Sequence, residues 1–210
     1  MSSEFRQAAY DADPLNDNFW RFDVRRLTAE EVRDSILAVN GKLNRDKMYG
    51  PSIYPIIPDE VLHGQSVPGA NWGKSSSEDL NRRSIYIHIK RSLPVPLLAS
   101  FDVAEPDTPC PVRFNTVQPT QALGMINSDF LKRQSAEFAK MVTQAGSDQL
   151  ADQVSLALQR VTQRTPSSTE IERGVKFIEQ VAADSETDQN EALRQFCLIA
   201  LNLNEFLFLD

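Results

Sequence analysis

The sequence predicts a mainly α-helical fold, a helical domain with a short β element and a long proline-rich irregular segment. Three observations carry this. Apolar residues recur at helical spacing behind recognisable caps, both before Leu43 and after Pro119. Ten of the twelve prolines fall within residues 51–119, where they preclude long regular elements. Inside that zone one stretch, RRSIYIHIKRS, alternates apolar and polar residues as a strand does. The chain thus divides into a helical part (1–43), a proline-rich loop with one strand (44–119) and a second helical part (120–210). All 210 residues read as a single domain.

The first clear helix starts at a capping box formed by Thr28 and Glu31, with Leu27 and Val32 placed as its hydrophobic staple. Val32, Ile36, Val39 and Leu43 make its apolar stripe, and Gly41 supplies a stop. Arg25, Arg26 and Arg33 fall on or beside its polar side. The stretch YGPSIYPIIPDEVLHGQSVPGANWG is too rich in proline and glycine for a regular element, yet carries Ile53, Tyr54, Ile56, Ile57 and Trp72. It reads as an ordered loop laid across the helices. In the strand, Ile85, Ile87 and Ile89 share one face, with Tyr86, His88 and Lys90 on the other.

Past Pro119 a short helix is expected over 120–126. Ser128 then caps one helix, with Leu131, Phe138, Met141 and Val142 inward. Ser147 caps the next, with Leu150, Val154, Ala157, Leu158 and Val161 on one face. Ser167 and Glu170 form a second capping box ahead of Ile171, Val175, Ile178 and Ala182. A last helix runs from about Asp188 with Leu193, Phe196, Cys197, Ala200 and Asn204 on one face. Leu203, Phe206 and Phe208 lie off that face, which marks a buried helix. Asn202, Asn204 and Glu205 read as buried polar anchors.

The net charge of −7 is uneven: residues 147–210 hold 11 acidic and 5 basic side chains, residues 1–146 hold 18 and 17. Such a balance disfavours nucleic acid as a partner. No apolar run reaches the length of a membrane span, and the first residues show no apolar signal core. The two cysteines, Cys110 and Cys197, have no metal-type spacing, and two histidines exclude a histidine-rich metal site. Nucleophile-elbow, P-loop, dinucleotide-binding and zincin patterns are absent, and no cofactor is expected in this chain.

Two stretches carry the candidate site. Arg82, Arg83, Tyr86, Lys90 and Arg91 either pack a structural strand or gather into a site for a carboxylate, sulfate or acidic sugar. In FDVAEPDTPCPVRFNTVQPTQAL, Asp102, Glu105 and Asp107 lie close to Cys110 and Arg113. Clustered carboxylates there serve as acid and base or hold calcium. Otherwise Asp102 pairs with Arg113 to hold the loop, and Asn115 or Thr116 caps the following helix.

In order along the chain stand FWRFDVRRLTAEEVRDSILAVNGKL, GPSIYP, RRSIYIHIKRSLPVPLLASFD, CPVRFNTVQPTQALGMINSDF and NEFLFLD. With these the chain resembles the planctomycete-type C-terminal domain of unknown function, the DUF1553 family, usually found downstream of cytochrome-c-like domains. The resemblance places Arg25, Arg26, Arg33, Asp34, Arg82, Arg83, Lys90, Arg91, Asp102, Cys110, Arg113 and Asn127 on the family's motifs. It implies the C-terminal part of a larger, exported or periplasmic protein. The partners it implies are the upstream domains of the same polypeptide or another protein, with a polysaccharide as a further candidate. Its arginines then tie helix, strand and loop through Asp34 and Asp102. The leading expectation is a non-catalytic interaction or scaffold domain. The alternatives are a carbohydrate-active hydrolase using the clustered carboxylates, or an acidic-glycan-binding module.

Overall fold

Residues 3–146, 148–184 and 187–209 are described in a computed structural model of the chain. In chain order the elements are α1 (Gln7–Ala12), β1 (Arg25–Arg26), α2 (Ala29–Val39), α3 (Asp59–His63), α4 (Ser77–Leu80), a 3-10 turn (Ser84–Tyr86), α5 (Pro96–Ser100), α6 (Pro119–Asn127), α7 (Asp129–Ala145), α8 (Leu150–Thr162), α9 (Ser168–Asp184), α10 (Gln189–Ala200), α11 (Asn204–Leu207) and β2 (Phe208–Leu209). The fold is mainly helical with a short β element.

The caps explain the helix starts. The Thr28 amide donates to the Glu31 carboxylate at 2.8 Å, and Arg25 grips the same carboxylate at 3.0 Å. Together, the Arg25 bond first, they pull the Glu31 pKa down to about 2. The Ser128 hydroxyl accepts from Leu131 and the Asp188 carboxylate from Glu191, starting α7 and α10. At α9 the Ser167 and Glu170 box closes in both directions. Arg164 clamps Glu170 and Glu205 together, fastening the start of α9 to α11. Ser147, the expected cap of α8, lies outside the described residues.

α10 packs against α7, α8 and α9. Phe138, Val142, Val154, Ala157, Ile178, Leu193 and Cys197 meet there with almost no exposure. Gly174 marks the closest approach: a Cβ would stand 2.6 Å from Val154 and 3.0 Å from Phe196. On the other side α2 lies on α5, α7 and the 3-10 turn, burying Val32, Ile36 and Leu37. Side chains from all three zones of the chain join one apolar core.

Three expectations are corrected. The strand over residues 85–89 does not form. The β element is instead β1 paired antiparallel with β2, Arg26 opposite Phe208. Asp34 accepts both the amide and the hydroxyl of Ser84, at 2.8 and 2.6 Å, and curls the chain into the 3-10 turn. Three residues per turn break a two-residue alternation, so Ile87 is buried while Ile85 and Ile89 are exposed. Arg26 and Arg33, expected on the polar side, are buried. α10 ends at Ala200, and a turn redirects the chain into α11, so that Phe206 and Leu207 enter the core. Asn204 and Glu205 are therefore exposed rather than buried, while Asn202 is half-buried and donates to the Leu198 carbonyl at 2.7 Å.

Candidate functional site

The proline-rich segment cannot fasten itself by a ladder of backbone bonds, so buried arginines do it. Arg82 has no exposed side-chain surface. Its Nε donates to the Lys47 carbonyl at 3.2 Å and an Nη to the Pro51 carbonyl at 2.8 Å. Its guanidinium lies 4.4 Å from the centre of the Tyr86 ring. Gly50, at φ +134°, passes so close that its Cβ position is 3.7 Å from that guanidinium. Arg33 donates to the Arg82 carbonyl at 3.0 Å and the Ser84 hydroxyl at 3.1 Å. Burial pushes its pKa down to about 10, against the opposing charge of Asp34.

Arg26 reaches Asp102 at 2.8 Å, while the Asp102 carboxylate also accepts from the Thr116 amide at 2.8 Å. Asp102 sits at φ +59°, a left-handed conformation that Asp tolerates better than most residues. Burial lowers the Arg26 pKa, and the Asp102 charge offsets only part of that. Helix, loop and β1 are thereby tied through Asp34 and Asp102.

The structure does not bring the seven candidate residues into one group. Arg82 is inside the fold and Asp102 half-buried beside Arg26. Tyr86 is half-buried under Arg82, and Lys90 donates to the Ala70 carbonyl. Arg83 is 61% exposed, with Asp34 at 3.5 Å. Arg91 is exposed and pairs with Asp107 at 2.6 Å. Arg113 pairs with Glu30 at 2.7 Å. The expected pairing of Asp102 with Arg113 is thus replaced by two others, each to an element on the helical side. Nor does Asn115 or Thr116 cap α6: Gln118 does, boxed with Gln121.

Asp102 has its oxygens occupied by Arg26 and Thr116, and Asp107 is taken by Arg91. An acid–base pair needs a carboxylate free to exchange a proton with a substrate. Both cysteines are free thiols. Cys110 is exposed and Cys197 buried, and burial pushes the Cys197 pKa up to about 12. An open hollow of about 570 Å³ lies over Asn44, Arg45, Lys47 and Glu78. Another of about 390 Å³ lies between α7 and α10. None of the seven candidate residues lines either. Among the described residues no cluster of His, Cys, Asp or Glu is arranged to hold a metal ion. Among them, too, no helix is long and apolar enough to cross a membrane.

Two features went unread in the sequence. Val112, Phe114 (80% exposed) and Val117 project from the loop before α6, and Leu123 and Ile126 from the outer side of α6. Separately, Tyr54, Trp72 and His88, from three parts of the proline-rich segment, pack their rings together. The signal for the first was a row of large apolar residues between prolines, with none of the spacing that buries such residues.

The architecture defines a helical domain whose long irregular segment is pinned by buried arginines. The chain belongs to the family PSD1, protein of unknown function (DUF1553), which it matches over residues 1–178. No curated protein and no solved structure matches it.

Proposed function

We propose that this chain is a non-catalytic interaction domain of an exported, cytochrome-associated multidomain protein, with no cofactor of its own. Its occupant is the upstream part of the same polypeptide. The observation that carries this reading is the exposure of five large apolar side chains close together in the sequence, Val112, Phe114, Val117, Leu123 and Ile126.

Two charges of that loop are paired within the chain: Arg113 is held by Glu30 and Asp107 by Arg91. Large apolar side chains grouped on a surface mark an interaction site, and on a free monomer they invite aggregation. A tethered neighbour avoids this, because the linker keeps it at an effective concentration in the millimolar range. The ties of Asp102 to Arg26 and Thr116, and of Arg113 to Glu30, then hold the docking loop in one shape.

Hydrogen exchange of residues 112–126 tests the reading. Exchange should slow when the chain is joined to its upstream part, relative to the chain alone, and Phe114→Asp should abolish the slowing. Equal exchange in the two contexts refutes it.

A further inference from the structure

We propose that Tyr54, Trp72 and His88 form a binding site for a neutral saccharide ring. This does not depend on the interaction surface above; it uses other residues and another ligand chemistry.

The three rings are close enough to act as one surface. Tyr54 and Trp72 meet edge to face, centroids 5.4 Å apart at 86°. His88 lies 4.9 Å from Tyr54 and 5.9 Å from Trp72. All three residues are half-buried rather than enclosed in the core.

Each ring is fixed by its backbone or its inner edge. The Ile53 amide donates to the Tyr86 carbonyl at 2.8 Å and the His88 amide to the Ile53 carbonyl at 2.9 Å, which sets Tyr54 beside His88. The Tyr54 amide donates to the Ser75 hydroxyl at 2.9 Å. The Trp72 indole N–H donates to the Pro55 carbonyl at 3.1 Å. Gly73 leaves room for the Tyr54 ring, since a Cβ there would stand 2.8 Å from it. Lys90 holds the Ala70 carbonyl, two residues before Trp72. Rings fixed in advance cost a ligand little ordering entropy.

The polar atoms left over define the ligand. The Trp72 N–H is spent inward, so its remaining exposed surface is apolar. Among the described residues, neither the Tyr54 hydroxyl nor the His88 imidazole makes a hydrogen bond, and neither is a buried unpaired group. They are solvent-facing donors and acceptors set among aromatic carbon. Small-molecule sites have this composition, aromatic walls with a few placed polar groups. A saccharide ring matches it, with an apolar C–H face for the rings and hydroxyls for Tyr54 and His88. The three rings carry no carboxylate or guanidinium, and the chain's net charge of −7 repels polyanions. The ligand is therefore neutral.

Native gels cast with hydroxyethyl cellulose, glucomannan, dextran or dextran sulfate, run at low and moderate salt, test this on the full chain. At least one neutral polymer should retard the wild-type chain equally at both salts. Tyr54→Phe removes one hydroxyl and should weaken retardation about fivefold, the worth of one neutral hydrogen bond. Trp72→Ala should weaken it at least about tenfold, as loss of a fixed aromatic contact does. Circular dichroism checks that each variant folds; should Trp72→Ala not fold, Tyr54→Phe and His88→Asn carry the comparison. No retardation by any neutral polymer overturns the proposal. So does retardation that these variants leave unchanged, or retardation by dextran sulfate alone that disappears at moderate salt.

Discussion

Asp102 is the residue whose replacement tests the internal ties most directly. Its side chain is 27% exposed and faces an Arg26 side chain that is 2% exposed. Arg26 already keeps Nε and one Nη buried without a partner, so Asp102 supplies its one counter-charge. Removing one member of such a pair costs about 3–5 kcal/mol, and the partial exposure of Asp102 places it near 3. Alanine at φ +59° adds about 1 kcal/mol of backbone strain. Asp102→Ala should therefore cost about 4 kcal/mol, or about 10 °C in melting temperature for a chain of this size.

Asparagine tolerates the left-handed conformation and keeps an acceptor for Arg26 and Thr116. Asp102→Asn should cost only about 1–2 kcal/mol, the charge-assisted part of the bonds. Asp102→Gly, free of strain but lacking the carboxylate, should fall between the two. Equilibrium unfolding in urea measures all three, read as a shift in midpoint at constant slope. An Asp102→Ala variant within about 1 kcal/mol of wild type refutes the reasoning. So does an asparagine variant as unstable as the alanine one.

Arg82→Lys should cost about 3 kcal/mol in the same assay, because one ammonium cannot serve the Lys47 and Pro51 carbonyls while stacking on Tyr86. Arg83→Ala, next door but exposed, should stay within about 0.5 kcal/mol of wild type. The folded-state pKa of Glu31 is lowered, so its contribution is fully present above the ordinary carboxylate value of 4.5 and is lost as pH falls towards about 2. Glu31→Gln should accordingly be less stable than wild type above pH 5, by on the order of 1 kcal/mol after solvent screening, and the gap should close on acidification. Gly174→Ala should gain about 1 kcal/mol of helix propensity yet lose more to the clash with Val154 and Phe196. Its net effect should be a lower melting temperature, and a higher one would mean that α8 and α10 can yield.

How much of this was legible follows from the range of the interaction that decides each feature. The boxes at Thr28 and Ser167 depend on residues three apart, and both form. The stripe of Val154, Ala157, Leu158 and Val161 likewise needs only helical spacing, and all four are buried. The strand at Ile85 failed because the decisive contact is Asp34 with Ser84, fifty residues away. Arginine burial was hidden for the same reason. Nothing local to Arg26 or Arg82 shows that carbonyls and an aspartate from distant loops will surround them. Of the candidate residues, sequence pattern identified chemistry but not depth, and placed Arg82 and Arg83 together although one is buried and the other exposed.

The buried arginines also explain why the irregular segment can carry recognition at all. A segment without a ladder must satisfy its carbonyls by other means or remain solvated and mobile. Arg33 and Arg82 take carbonyls at Leu80, Arg82, Lys47 and Pro51, and Lys90 takes that of Ala70. These are the places where the chain would otherwise be free to rearrange. Backbone ordered by side-chain donors presents its outward residues in fixed positions without being part of a helix or sheet. The ring group of Tyr54, Trp72 and His88 lies within the segment so ordered. Phe114 stands on the loop that the Asp102–Thr116 and Arg113–Glu30 contacts hold. Loss of Arg82 should therefore loosen the ring group while leaving the Phe114 loop intact, and loss of Asp102 should do the reverse. Hydrogen exchange of residues 53–73 and 112–118 in the two variants separates these effects. Equal loosening of both segments in both variants would show one cooperative unit rather than two separately anchored ones.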